Sequence, residues 1–152
     1  MKPKVSIIVP VYNSQFTICN CLTSIISQSF FDYELVIIDD GSTDESVEIC
    51  RQFVIRNQKI VLYSMEHKRV QFARYYGLTH CKGNYILFVD SDDRIDYEYI
   101  SNLFNAIENS KSDIVCSNFI IENENGQRII EESHKGTVDR EYIEKVIVKI
   151  FI

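Results

Sequence analysis

Tyr85-Ile86-Leu87-Phe88-Val89-Asp90-Ser91-Asp92-Asp93 is an apolar strand pattern that runs straight into an acidic turn. Similar apolar runs stand upstream at residues 5–9, 33–38 and 59–63. The first of them, Val5-Ser6-Ile7-Ile8-Val9, is the near-continuous run expected of a strand covered on both faces. Helical patterns separate the strands. Residues 16–28 carry Ile18, Leu22, Ile25 and Ile26 on one stripe. Ser42 and Glu45, three apart, predict a capping box that opens a second helix with Val47, Cys50, Phe53 and Val54 on one face. Residues 70–80 place Ala73, Tyr76 and Gly77 together, and residues 96–109 do the same for Ile100, Leu103, Phe104 and Ile107. This βαβαβαβα alternation predicts an α/β fold with a mostly parallel sheet and helices on both faces.

If the chain reverses direction after three strands, right-handed crossovers give the order 3-2-1-4. Ligands of such sheets bind beyond the carboxyl ends of the strands, where the order reverses. Three loops then converge: Pro10-Val11-Tyr12-Asn13, Asp39-Asp40-Gly41-Ser42 and Asp90-Ser91-Asp92-Asp93. Their carboxylates, Asp39, Asp40, Asp90, Asp92 and Asp93, repel one another unless a cation neutralises them. Oxygen ligands of this kind suit magnesium or manganese. Asp90-x-Asp92 on a tight turn presents two carboxylates to one ion, which can bridge to a diphosphate. The plain alternative is that paired Asp residues after a strand form turns or cap helices. Two clusters at one sheet edge favour the ligand reading.

Composition narrows the function. A formal net charge of −6 argues against a general nucleic-acid binder, which needs a basic face. It also means that a phosphate ligand needs a screening cation. Five cysteines without a Cys-x-x-Cys read as reduced, mostly buried thiols, with Cys19 and Cys21 on different sides of their helix. His67, His80 and His134 lack metal-site spacing and read as structural or solvated. No apolar run approaches the roughly 20 residues of a membrane span, and residues 5–9 are too short for a signal-peptide core. The expected location is the cytoplasm, with room for a peripheral hold on the inner face of the membrane.

Beyond residue 112 the pattern changes. Residues 113–121 read as a strand, Asn125-Gly126 as a hairpin turn into residues 127–132, and residues 139–152 as a helix. We therefore divide the chain into a core, residues 1–112, and a further portion, residues 113–152. The last residues, Ile150-Phe151-Ile152, are apolar to the end, which leads us to expect a chain cut within a longer protein.

The motifs in register resemble glycosyltransferase family 2. Val5 to Asn13 resembles its opening, and Asp39-Asp40-Gly41-Ser42-Thr43-Asp44 its second signature. Phe72-Ala73-Arg74, then Gly83-x-Tyr85-Ile86, then Phe88 to Asp93, follow the third. The resemblance covers residues 4–95 and implies that residues 1–112 are the donor-binding core and residues 113–152 the start of an acceptor-side portion. It implies a GT-A fold and inverting transfer of a sugar from a nucleotide donor, usually a UDP-sugar, with a divalent metal. It implies that Pro10, Val11, Tyr12 and Asn13 line the nucleoside pocket and that Asp40 accepts a hydrogen bond from the base. Asp90 and Ser91 would lie by the ribose and diphosphate. Asp92 would be the direct metal ligand, with Asp90 as its partner. The implied acceptor is a saccharide or a lipid-linked one, with surface polysaccharide as the expected product. The family often carries Asn-x-Gly ahead of Ala-Arg-Asn. This chain has His67-Lys68-Arg69-Val70 there, and Tyr75 in place of Asn. Lys68 or Arg69 is then the candidate to reach base or phosphates, while Arg74 is expected to order the loop. No catalytic base is assigned, because Asp139, Glu141 and Glu144 match no family motif. Two other readings stand beside the transferase: a UDP-metal binding module without turnover, and an aspartate-based phosphotransferase. The last fits poorly, because its nucleophile belongs after the first strand, where this chain has Pro-Val-Tyr-Asn.

Overall fold

The computed structural model describes residues 2–117, 119–123 and 126–130. The chain divides into two compact units, Met1–Asn102 and Leu103–Ile152. In the first, β1 (Val5–Val11), β2 (Tyr33–Asp39), β3 (Ile60–Ser64) and β4 (Tyr85–Phe88) form a parallel sheet in the order β3-β2-β1-β4. This is the expected 3-2-1-4 order. Every residue of β1 is buried, and Ile7, Ile8 and Val9 are wholly inaccessible. Each side chain of that size contributes about 1.5–3 kcal/mol by leaving water, so β1 anchors the sheet.

The helices follow from the crossovers. Moving from β1 to β2 to β3 in one direction places α1 (Ile18–Ile26) and α2 (Ser46–Arg56) on one face. The reversal from β3 back to β4 sends α3 (Val70–His80) to the other face. α1 buries Ile18, Cys21, Leu22 and Ile25, spaced to form one stripe. On the opposite face, Ala73 of α3 joins Ile8, Val36 and Ile38 in one apolar cluster. Gly77 lets α3 come close: a Cβ there would lie 2.5 Å from Ile8 Cγ2. At the amino end of the strands, Ser6 Oγ accepts from Gly83 N–H at 2.7 Å and donates to Glu34, tying β1, β2 and the approach to β4 together.

Several boundaries differ from the sequence reading. The expected capping box is not formed. α2 starts at Ser46, and Glu45 makes no side-chain cap. Asp44 does that work: its Oδ1 accepts the Ser46 N–H at 3.0 Å and its Oδ2 the Gln15 N–H at 3.1 Å. Burial opposes ionisation of Asp44, yet the Ser46 and Gln15 hydrogen bonds hold its carboxyl below the usual range. Helix α1 begins at Ile18 rather than residue 16, after a turn in which Thr17 and Ile18 donate to the Ser14 carbonyl. Helix α4 (Tyr99–Ser110) begins three residues later than expected and carries the boundary between the two units.

In the second unit, β5 (Phe119–Asn123) and β6 (Gly126–Ile130) form an antiparallel hairpin, with Asn123 opposite Gly126. The expected strand at 113–121 is displaced, since residues 113–117 are not strand. The expected helix at 139–152 lies outside the described residues. Among the described residues, no helix is long and apolar enough to cross a membrane.

Candidate functional site

Beyond the carboxyl ends of β1, β2 and β4, hydrogen bonds between side chains and backbone draw three loops together. Asn13 stands in the left-handed region at φ 49°, which Asn tolerates better than most residues. Its N–H donates to Ser42 Oγ at 3.1 Å, and its Oδ1 accepts from the Thr43 N–H at 2.8 Å. Ser14 N–H donates to Ser46 Oγ at 2.7 Å. The Ser14 hydroxyl also meets that of Ser91 at 2.7 Å, which joins the β1 loop to the acidic turn. Ser14 was not foreseen, since nothing in its local sequence marks a contact made across 77 residues.

Asp39 and Asp40, adjacent in sequence, have different roles. Asp39 Oδ1 accepts the Ser42 N–H at 2.9 Å, so Asp39 is a turn former. Asp40 is buried, and its backbone N–H donates to the Val11 carbonyl at 2.8 Å. Its Oδ1 accepts the Lys68 N–H at 2.7 Å, and its Oδ2 lies 2.9 Å from His67 Nδ1. The His67 ring stacks on Tyr12, with centroids 4.1 Å apart and planes 20° from parallel. Gly41 permits this: at φ 74°, a Cβ would meet the His67 backbone nitrogen at 2.9 Å.

Pro10, Val11, Tyr12, Asp40, His67, Arg69 and Val70 line a cavity of about 250 Å³. Most of the residues expected around a nucleoside are here, with Asn13 bracing the neighbouring loop instead of lining the wall. His67 is the addition. Its role arises from packing against Tyr12, and its one sequence signal is its place two residues before Arg69. Arg69 itself has φ 79° and ψ 158°, a conformation that glycine adopts freely and other residues at a cost of about 1–3 kcal/mol.

The acidic turn closes with the Asp93 N–H donating to the Asp90 carbonyl at 3.0 Å. Arg74 reaches over from α3, its Nη2 2.6 Å from Asp90 Oδ1 and its guanidinium above the Phe88 ring. Arg74 Nε is buried without a partner. Asp90 is therefore braced by a cation, while Asp92 is exposed. Burial, with the charges of Asp92 and Asp90, pushes the Asp93 carboxyl above its ordinary range. The turn thus carries more negative charge than Arg74 offsets. Among the described residues, no group of three or more His, Cys, Asp or Glu is arranged to hold an ion. The donor set fits a hard cation that keeps one or two protein carboxylates and takes its other oxygens from water and phosphate.

Comparison with known proteins shows the family and the fold. A family model described as Glycosyl transferase family 2 matches residues 6–149. Glycosyltransferase GlyA of Streptococcus pneumoniae is 40% identical over 121 residues, spanning 80% of this chain and 17% of GlyA. The structure of S. aureus TarS 1-349 in complex with UDP-GlcNAc aligns with a TM-score of 0.68 at 34% identity, covering 72% of this chain and 32% of that one. Mannosyltransferase PcManGT from Pyrobaculum calidifontis, in complex with GDP-Man and Mn2+, aligns with a TM-score of 0.57 at 26% identity, covering 62% and 29%. The chain spans less than half the length of the curated relatives it matches.

Proposed function

This chain belongs to glycosyl transferase family 2, and from that premise we propose that it is the donor-binding part of an inverting transferase that takes a UDP-sugar with a divalent metal. The observation that carries the proposal is the meeting of an exposed aromatic face, a buried carboxylate and an acidic turn in loops joined by hydrogen bonds. Tyr12 offers the base a stacking surface, and Asp40 accepts its ring N–H. Pro10 and Val11 wall the same cavity, and Asn13 holds the β1 loop against Ser42 and Thr43. Arg69 faces the base or the phosphates. Asp90 and Ser91 lie towards the ribose and diphosphate, fixed by Arg74 and Ser14.

Asp92 is the residue we assign to the metal, manganese or magnesium, with Asp90 as its second carboxylate. PcManGT, solved with Mn2+, is the neighbour that supports this choice. A bound divalent ion would neutralise charge on the departing nucleoside diphosphate. The acceptor, a saccharide or lipid-linked saccharide of surface polysaccharide met at the inner face of the membrane, rests on the family resemblance alone.

UDP with manganese is expected to raise the melting temperature, and Asp92→Ala to abolish the increase. An unchanged increase in the variant, or an equal one with chelator present, overturns the metal assignment. Donor turnover measured beside UDP binding separates a transferase from a binding module.

A further inference from the structure

The imidazole of His67 makes the contacts that a nucleobase is expected to make. It is flat and aromatic, it stacks on Tyr12, and its Nδ1 lies against Asp40 Oδ2. An imide ring such as uracil offers the same two features, a π-face and a ring N–H. Tyr12 and Asp40 cannot serve both rings from the same side. Resting on the nucleotide reading above, we propose that His67 is an internal stand-in for the base, a specificity-determining residue that the donor must displace from Tyr12 and Asp40.

Three observations support the exchange. First, Asp40 is buried, with only 3% of its side chain accessible, so a donor brought to its carboxylate by a ligand is worth more than in water. One donor is permanent, the Lys68 N–H on Oδ1. Oδ2 lies 2.9 Å from His67 Nδ1, but that nitrogen's hydrogen bond is to the Asp40 backbone carbonyl at 3.1 Å, and the His67 side chain is 49% exposed. Second, the backbone beneath His67 is fixed, because Gly41 packs against its nitrogen and Lys68 is bonded to Asp40. The ring can leave while the wall stays. Third, His67 and Arg69 line the same cavity, so a swing of the imidazole widens the space that the base enters.

The exchange also selects. A base that replaces His67 without a ring N–H sets an acceptor or an apolar edge against Oδ2 and gains no hydrogen bond there. Uracil supplies that N–H. Cytosine presents a ring acceptor at the same edge and does not.

The test is calorimetric titration of the 152-residue chain with uridine and with UDP, for wild type, His67→Ala and His67→Phe. If the closed arrangement holds about nine-tenths of the population, removing it tightens binding about tenfold. His67→Ala is therefore expected to bind uridine several-fold or more tightly than wild type. His67→Phe, which stacks but cannot donate, is expected to fall between the two. Equal or weaker binding by His67→Ala makes His67 an ordinary wall of the pocket and overturns the proposal, leaving the nucleotide reading intact. Binding of neither ligand by any of the three proteins overturns the nucleotide reading and this proposal with it. Should His67→Ala not fold, wild type decides by NMR. Contacts between the His67 and Tyr12 ring protons are expected to vanish at saturating uridine, and their persistence overturns the exchange.

Discussion

Gly41 shows how one residue sets the geometry of the site. Its φ of 74° belongs to glycine, and the His67 backbone passes where a side chain would begin. Gly41→Ala pays the left-handed penalty of about 1–2 kcal/mol and adds a clash with backbone atoms that cannot yield. We expect a loss of about 2–3 kcal/mol in urea unfolding, with weaker UDP binding as the Lys68 N–H moves off Asp40 and the carboxylate loses its fixed position. At this scale the sequence was legible where chemistry is local. Asp90-Ser91-Asp92 announces an acidic turn, and the structure closes one there. It was silent where a role depends on a distant partner. His67 gains its place from Tyr12, and Ser14 from Ser91, and neither partnership leaves a spacing to find.

Among the elements, α3 sets local preference against packing. Ala is the better helix former by about 1 kcal/mol, so Gly77 weakens the isolated helix. In the fold, a methyl at position 77 would sit 2.5 Å from Ile8 Cγ2 and 3.4 Å from Ile38 Cγ1. Overpacking of this kind costs about 1–3 kcal/mol, and Ile8, wholly buried in β1, has no room to retreat. Gly77→Ala is thus expected to lower stability by up to about 2 kcal/mol despite the gain in propensity. A rise in melting temperature would show that α3 is free to lift off the sheet. The same competition explains the missed start of α2. Ser42 and Glu45 have the right spacing for a box, but the Ser42 hydroxyl is engaged by the Asn13 N–H across the crevice. Asp44 takes over the cap. Strand and helix identities were legible because they rest on periodicity, and the boundaries slipped where a loop had a tertiary partner.

For the molecule as a whole, the strand order was readable because two nearly continuous apolar strands and right-handed crossovers leave few arrangements. The buried cysteines report on the integrity of that arrangement. Cys21 and Cys50 are inaccessible, and their thiols are pushed up to about 12, chiefly by burial and then by nearby aspartates. Cys19, on the other side of α1, is exposed. A thiol reagent at pH 8 is expected to modify the exposed Cys19 and Cys116 early and to reach Cys21 and Cys50 only through global opening. The linkage has a definite sign. The unfolded thiols ionise near 9.0, and the folded ones hold their protons to about 12. Unfolding above 9.0 therefore releases protons, and the stability fully present below 9.0 is lost as pH rises towards 12. Urea midpoints at pH 8 and pH 10 are expected to fall in that order, less steeply in Cys50→Ala.

β4 lies at the edge of the sheet among the described residues, with Ile86 and Phe88 exposed and spaced on one face. A strand so placed is a template for pairing with any other extended chain. The edge that lets β4 deliver Asp90 to the crevice therefore also offers Tyr85-Ile86-Leu87-Phe88 as a place for chains to pair at high concentration, which a charge at Ile86 is expected to suppress.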